Sequence, residues 1–279
     1  MSVPRTLALP DGVARVSIET DRGTFAGLEA KPSKDILGHI LLITGWTGSK
    51  EDFTPLMPLL ADAGFHVTTY DQRGQYETAG QPGGDYTLAG FASDSLAVRA
   101  ASGHDSSHLL GHSFGGLVAQ TAAVAEVSAW KSISLLCSGP GAIGGGDDEV
   151  RPLTMFVNAI GNVPLATIHE YREKMTGIDR PPEIAAFLAK RFAANYPESL
   201  KAMTQLLIDA PDHLDEVIAL DILKWVGRGK NDDAWPHKVQ ARMAERLGVE
   251  IVVIPAAAHS PAIENTEATA EALLKFWVW

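Results

Sequence analysis

Cysteine is nearly absent: the 279-residue chain has one, Cys137. A lone thiol makes no internal disulfide and no cysteine-based metal cluster, a composition that suits a reducing compartment. Long hydrophobic runs are missing too. The apolar stretches at 40–43 and 251–258 fall far short of the roughly 20 residues a membrane helix needs. The opening Met-Ser-Val-Pro-Arg-Thr-Leu lacks the apolar core of a signal peptide, so the expected location is cytoplasmic. Positive charge is in deficit, with 23 Lys and Arg against 34 Asp and Glu and a net charge of -11. Such a surface repels phosphate backbones and anionic lipid, so neither nucleic acid nor membrane is an expected partner. There is no internal repeat.

What is present suffices for one sizeable core. Hydrophobic residues make up 46% of the chain, and a chain near 300 residues buries roughly three quarters of its unfolded surface. Residues 14–20 alternate at period two, Asp21-Arg22-Gly23 reads as a turn, and 24–30 completes an antiparallel hairpin expected at a sheet edge. Near-continuous apolar runs at 40–43, 66–70, 107–110, 132–136, 222–226 and 250–254 suit strands covered on both faces. Helical patterns lie between them, which favours an α/β fold around a mostly parallel sheet. Ser49-Lys50-Glu51-Asp52 resembles a capping box, and Thr54-Pro55 offers a second start for a helix that Gly64 stops. Pro58 suits only the later start. In the last helix Ala270, Leu273, Leu274 and Trp277 form one stripe, and the Trp277 to Trp279 end reads as core packing.

Between about 139 and 220 the alternation breaks. Short helices at 166–175, 183–194 and 199–210 are separated by Pro-Pro, Tyr-Pro and Ala-Pro. The expected organisation is a core of 1–138 and 221–279 carrying a helical lid at 139–220. Gly144-Gly145-Gly146 followed by Asp147-Asp148-Glu149 reads as a flexible, solvated approach to that lid, suited equally to a loop or a hinge.

Chemistry concentrates in three places. Gly111-His112-Ser113-Phe114-Gly115 follows an apolar strand and precedes a small-residue helix, the strand, G-x-S-x-G, helix arrangement. A serine hydroxyl is a poor nucleophile unless a base reaches it and amides face the developing oxyanion, and the glycines supply the tight turn this needs. Of nine histidines, His259 lies just past the last predicted strand, at the sheet end where functional groups gather. His112 should diverge from the hydroxyl beside it, and His66, His104 and His108 sit at the wrong end. An orienting acid comes from Gly229-Lys230-Asn231-Asp232-Asp233, again past a strand. Either Asp232 or Asp233 can serve, unless both merely build turns, and the chain order Ser, Asp, His is the one expected of an α/β-hydrolase triad.

On these residues the chain resembles the α/β-hydrolase superfamily with a helical cap, from about residue 39 to the end. The resemblance favours Asp232, because Gly229, Asp232 and Pro236 match the G-x-x-D-x-x-x-P segment of that family. It implies that the backbone N–H groups of Trp46 and Phe114 form the oxyanion hole, and that Asp71-Gln72-Arg73-Gly74 fixes a loop. There are two departures from the pattern: Thr44 replaces the usual histidine, and Gln75-Tyr76 replaces His-Gly, so the pocket floor is expected to differ. The rings of Trp46 and Phe114 suit a pocket lining or core packing equally.

The implied activity is hydrolysis, through an acyl-enzyme, of a carboxylic ester or related acyl compound of a small, largely apolar molecule. Ser113 is the nucleophile, His259 the base and Asp232 its orienting acid, with no metal and no organic cofactor. Similar proteins also cleave carbon-carbon bonds of diketones or act as perhydrolases, and a receptor on the same fold is the non-enzymatic alternative. Met155, Phe156 and Tyr171 read as helix packing, becoming pocket walls only if their helices face Ser113. Oligomeric state is not legible.

Overall fold

Six strands run parallel, and their near-unbroken apolar sequences explain why: helices cover both faces. The computed structural model describes residues 2–143 and 147–278, so Gly144-Gly145-Gly146 and Trp279 lie outside the described residues. The strands are β1 (Val13–Thr20), β2 (Gly23–Ala30), β3 (Gly38–Ile43), β4 (Phe65–Tyr70), β5 (Ser107–His112), β6 (Trp130–Leu136), β7 (Leu223–Gly229) and β8 (Ile251–Ile254). They form one sheet in the order β1-β2-β4-β3-β5-β6-β7-β8. The β1–β2 hairpin is antiparallel, with β1 at the edge, and β2 runs antiparallel to β4. All remaining pairs are parallel.

Side chains alternate across the sheet with period two. Leu41, Ile43 and Leu109 face one core with Phe91 of α2 (Leu88–Ala101), Val118 of α3 (Phe114–Ala125), Leu214 of α8 (Leu214–Ala219) and Met243 of α9 (His237–Arg246). Ile40, Leu42 and Leu110 face a second core with Leu56 and Leu60 of α1 (Leu56–Asp62), and with Leu273 and Trp277 of α11 (Thr266–Trp277). The terminal stripe packs on the sheet as its spacing implies. β8 differs from expectation: it is an outermost strand, and Val253 is exposed.

Ser49 to Asp52 closes a single 3₁₀ turn rather than opening α1, with the Ser49 N–H donating to Asp52 Oδ2 at 3.3 Å. α1 starts after Pro55, which places Pro58 in the first turn, where an amide N–H has no helical partner to lose. Four helices follow β6: α4 (Asp147–Ala159), α5 (Leu165–Thr176), α6 (Pro182–Ala193) and α7 (Pro197–Asp209). The last three match their sequence patterns, whereas residues 147–149 open a helix instead of a loop. After them α8 returns to pack on α3 and α9. The four-residue α10 (Pro261–Glu264) precedes α11. No helix of the described residues is long and apolar enough to cross a membrane.

Candidate active site

The chain goes from β3 to β4 on one side, then crosses to β5 on the other. This reversal opens a crevice at the strands' C-terminal ends, flanked by the loop after β3 that carries Trp46 and by the turn after β5 that carries Ser113. Ser113 follows β5 and caps α3 with φ 55 and ψ -121, a conformation that non-glycine residues hold only where the surroundings impose it. Here they do: the Ser113 N–H donates to Leu136 O at 2.9 Å, and Ser138 Oγ donates to Ser113 O at 2.8 Å. A Cβ at Gly111 would collide with the Gly115 carbonyl, and one at Gly115 with the Ile43 carbonyl. Strand and helix therefore approach as closely as glycine permits.

The structure brings the three distant side chains together. His259 Nδ1 lies 2.8 Å from Asp232 Oδ1, and Nε2 lies 3.0 Å from Ser113 Oγ. A carboxylate only accepts, so Nδ1 carries the proton and Nε2 is free to accept from the serine hydroxyl. Asp232, buried, is the partner, while Asp233 is exposed and lines the cavity. Burial pushes the Asp232 carboxyl up, but hydrogen bonds from His259, the Ala234 N–H and Gln240 outweigh it and hold the group below its ordinary range. Gly229 lets the two loops meet, since a Cβ there would strike the Ala258 carbonyl. Glu264 accepts from the Ala258 and Ser260 N–H groups and fixes the histidine loop from α10.

His112 diverges from Ser113, as its position implies, and donates from Nε2 to the His259 carbonyl at 2.6 Å. Burial and the neighbouring His259 depress its pKa to about 3, so it stays neutral. Cys137 Sγ lies 3.8 Å from the neighbouring Ala258 carbonyl, and burial, helped by the negative charge of Asp232, pushes its thiol up. His112, Cys137 and His259 could offer ligand atoms within 4.8 Å of one another. However, both His259 nitrogens are engaged by Asp232 and Ser113, and the thiol is held protonated. That chemistry suits proton transfer better than metal binding. At the opposite end of the sheet, His66 Nδ1 lies 2.9 Å from His104 Nε2 and His108 bonds Ser132, away from the site.

Two of the residues that depart from the family pattern, Thr44 and Gln75, are fully buried and anchor the loop that carries Trp46. Thr44 Oγ1 donates to Gln75 Oε1 at 3.1 Å, and Gln75 Nε2 donates to the Gly45 carbonyl at 2.9 Å. In a trans peptide the carbonyl and the next N–H point in opposite directions, so anchoring Gly45 O aims the Trp46 N–H. No hydrogen bond between described residues uses that N–H. The Phe114 N–H opens the first turn of α3, where helix amides have no partner. The ring of Phe114 is core, edge-on to Phe91 at 5.7 Å, whereas the Trp46 ring lines the cavity, its Nε1 donating to Thr204 Oγ1 at 3.0 Å. Asp71 pairs with buried Lys50 and Arg73 with Asp94, at 2.8 Å and 2.6 Å, so the Asp71 to Gly74 segment fixes its loop.

The cavity in front of Ser113 measures about 770 Å³, with Leu153 of α4 and Leu207 of α7 opposite the sheet. Sequence reasoning missed Gln240, which donates to Asp232 Oδ2 at 2.9 Å, and Arg191 of α6. Arg191, fully buried, meets Asp52 at 2.7 Å and the Ser2 carbonyl at 2.6 Å, while Ser2 Oγ meets Ser260 Oγ at 2.8 Å. No local pattern signals partners so far apart in sequence. Met155 and Tyr171 do not pack in a helical core: they are 67% and 66% exposed.

The profile of the alpha/beta hydrolase family matches residues 40–272. The chain belongs to that family of enzymes. A curated relative from Variovorax paradoxus (strain S110), provisionally named a carbamate hydrolase, RutD, is 33% identical over 100 residues, which are 33% of this chain and 38% of that protein. The match thus spans under half of the relative. Among solved structures, a thermophilic esterase from Thermogutta terrifontis superposes with a TM-score of 0.76 at 22% identity, covering 95% of this chain and 98% of that one. The enol-lactonase from Burkholderia xenovorans LB400 gives 0.76 at 18% identity, covering 95% and 100%. At such identities these two likenesses concern the fold.

Proposed function

We propose that the protein is a serine hydrolase that cleaves a carboxylic ester, lactone or thioester of a small, largely apolar molecule through an acyl-enzyme. The observation that carries this reading is the continuous chain Ser113 Oγ, His259, Asp232 at 3.0 Å and 2.8 Å. Ser113 attacks the carbonyl carbon as Nε2 of His259 takes its proton, and the Trp46 and Phe114 amides receive the oxyanion. His259 then protonates the leaving group. Water, deprotonated by the same nitrogen, releases the acid and restores the hydroxyl, with Asp232 holding the imidazole throughout.

Helices α4 to α7 serve as the lid in this reading, supported by Pro152, Leu153 and Leu207 on the cavity wall. The esterase and lactonase likenesses agree with acyl transfer but do not choose the acyl group. The test is turnover of 4-nitrophenyl esters by the parent and by Ser113→Ala. Loss of a triad nucleophile costs several powers of ten in rate, so the expected fall exceeds about 10³-fold. Residual activity within about tenfold of the parent would contradict the assignment.

A further inference from the structure

A second cavity, of about 600 Å³, adjoins the first, with Trp46, Pro152 and Leu153 in the walls of both. Its lining is mostly apolar, drawn mainly from α4 and α5, with Thr167, the hydroxyl-bearing Tyr171 and Arg172 as the polar members. The Arg172 guanidinium lies against three aromatic rings, 5.2 Å from the centroid of Trp46, 5.5 Å from Phe156 and 5.3 Å from Phe192. Ring faces attract a cation but leave its in-plane N–H groups unused. Among the residues whose side chains are described, which exclude 144–149, no carboxylate lies within ion-pair distance of it, and the adjacent Glu173 pairs with Arg180 at 2.8 Å instead. No hydrogen bond between described residues uses a guanidinium N–H of Arg172, and Nη1 is buried without a partner. Burial pushes the guanidinium pKa down, with Glu173 opposing it. Arg172 as a whole is half-buried, and a cation held even partly out of water is ordinarily paired, because an unpaired ion there is costly.

We propose that this cavity is a subsite for a carboxylate at the far end of the substrate, with Arg172 as its counter-ion. A guanidinium fork matches a carboxylate bidentately, and the Trp46 and Leu153 walls that the two cavities share offer an apolar chain a path between them. Substrates are then half-esters or related acyl compounds of acids that keep one free carboxylate. For turnover this rests on the serine-hydrolase reading; for binding it does not.

The experiment compares mono-4-nitrophenyl hexanedioate with 4-nitrophenyl hexanoate, which differ only in the distal carboxylate. The expected kcat/KM of the parent favours the acidic ester at least tenfold, Arg172→Gln removes most of that preference, and Arg172→Lys, which keeps the charge without the fork, retains part of it. A ratio unchanged within twofold in both variants overturns the subsite. Calorimetric titration of Ser113→Ala with monoethyl hexanedioate, with and without Arg172→Lys, reads binding alone, and an affinity loss of fivefold or more is expected. If neither nitrophenyl ester is hydrolysed but this loss is found, the hydrolase reading fails and the subsite stands. If both esters are hydrolysed through Ser113 and neither ratio nor affinity depends on Arg172, only the subsite fails.

Discussion

Gln75 illustrates how a single side chain acts at a distance from the reacting atoms. Its amide ties Thr44 to the Gly45 carbonyl and so orients the peptide that presents the Trp46 N–H. Removing one oxyanion donor outright typically costs 10²- to 10³-fold in kcat. Loosening it through Gln75→Ala should cost about 10- to 100-fold, with KM less affected, and steady-state kinetics on a 4-nitrophenyl ester measure both. An unchanged kcat would mean that Gly45 needs no anchor. His108 makes a different prediction. Burial and the nearby Lys131 lower its folded pKa to about 4, against an ordinary value near 6.5. Below pH ~6.5 the unfolded chain takes up a proton that the native imidazole refuses, so stability is full above that pH and declines as pH falls toward 4. Relative to His108→Gln, the parent should lose about 1.4 kcal/mol per pH unit across that window. Denaturant titrations at pH 7 and pH 5 measure this, and a constant difference between the two proteins would contradict it.

Among the elements, α6 is held to the active-site loop by an ion pair out of water. Arg191 and Asp52 are both buried, 2.7 Å apart, and the carboxylate also accepts the Ser49 N–H. Breaking such a pair from one side strands the other charge, at a cost of about 3 to 5 kcal/mol. Asp52→Ala should therefore lower the urea midpoint by that equivalent, and a midpoint matching the parent would show that water replaces the carboxylate. The sequence reveals little of this. Strands are legible because apolar runs of four to seven residues bounded by turn residues have few other uses, and Ser113, Asp232 and His259 are legible because each follows such a strand. The start of α4 is hidden by the acidic residues 147–149, which read as a solvated approach, yet the helix spans them. Arg172 and Arg191 look like ordinary surface cations of amphipathic helices, because the rings and carboxylate that bury them include Trp46 and Asp52, well over a hundred residues away.

At the scale of the molecule, the sheet is the device that turns sequence distance into proximity. Residues 113 and 259 are 146 positions apart but follow parallel strands β5 and β8, whose C-terminal ends share one rim. The switch point between β3 and β5 opens the crevice there, and α4 and α7 supply its far wall. Net charge of -11 surrounds two adjoining cavities, the second with Arg172 in its wall, an arrangement that under the proposed subsite repels anions in general while retaining one whose apolar chain reaches inside. All of this depends on Ser113 being an activated nucleophile. Intact-mass spectrometry after brief exposure to a fluorophosphonate tests that directly, since the serine oxygen displaces fluoride at phosphorus. One adduct per chain is expected, located by peptide mapping on Ser113, absent in Ser113→Ala and much slowed in His259→Ala. An unmodified parent, or an adduct elsewhere, would contradict the account.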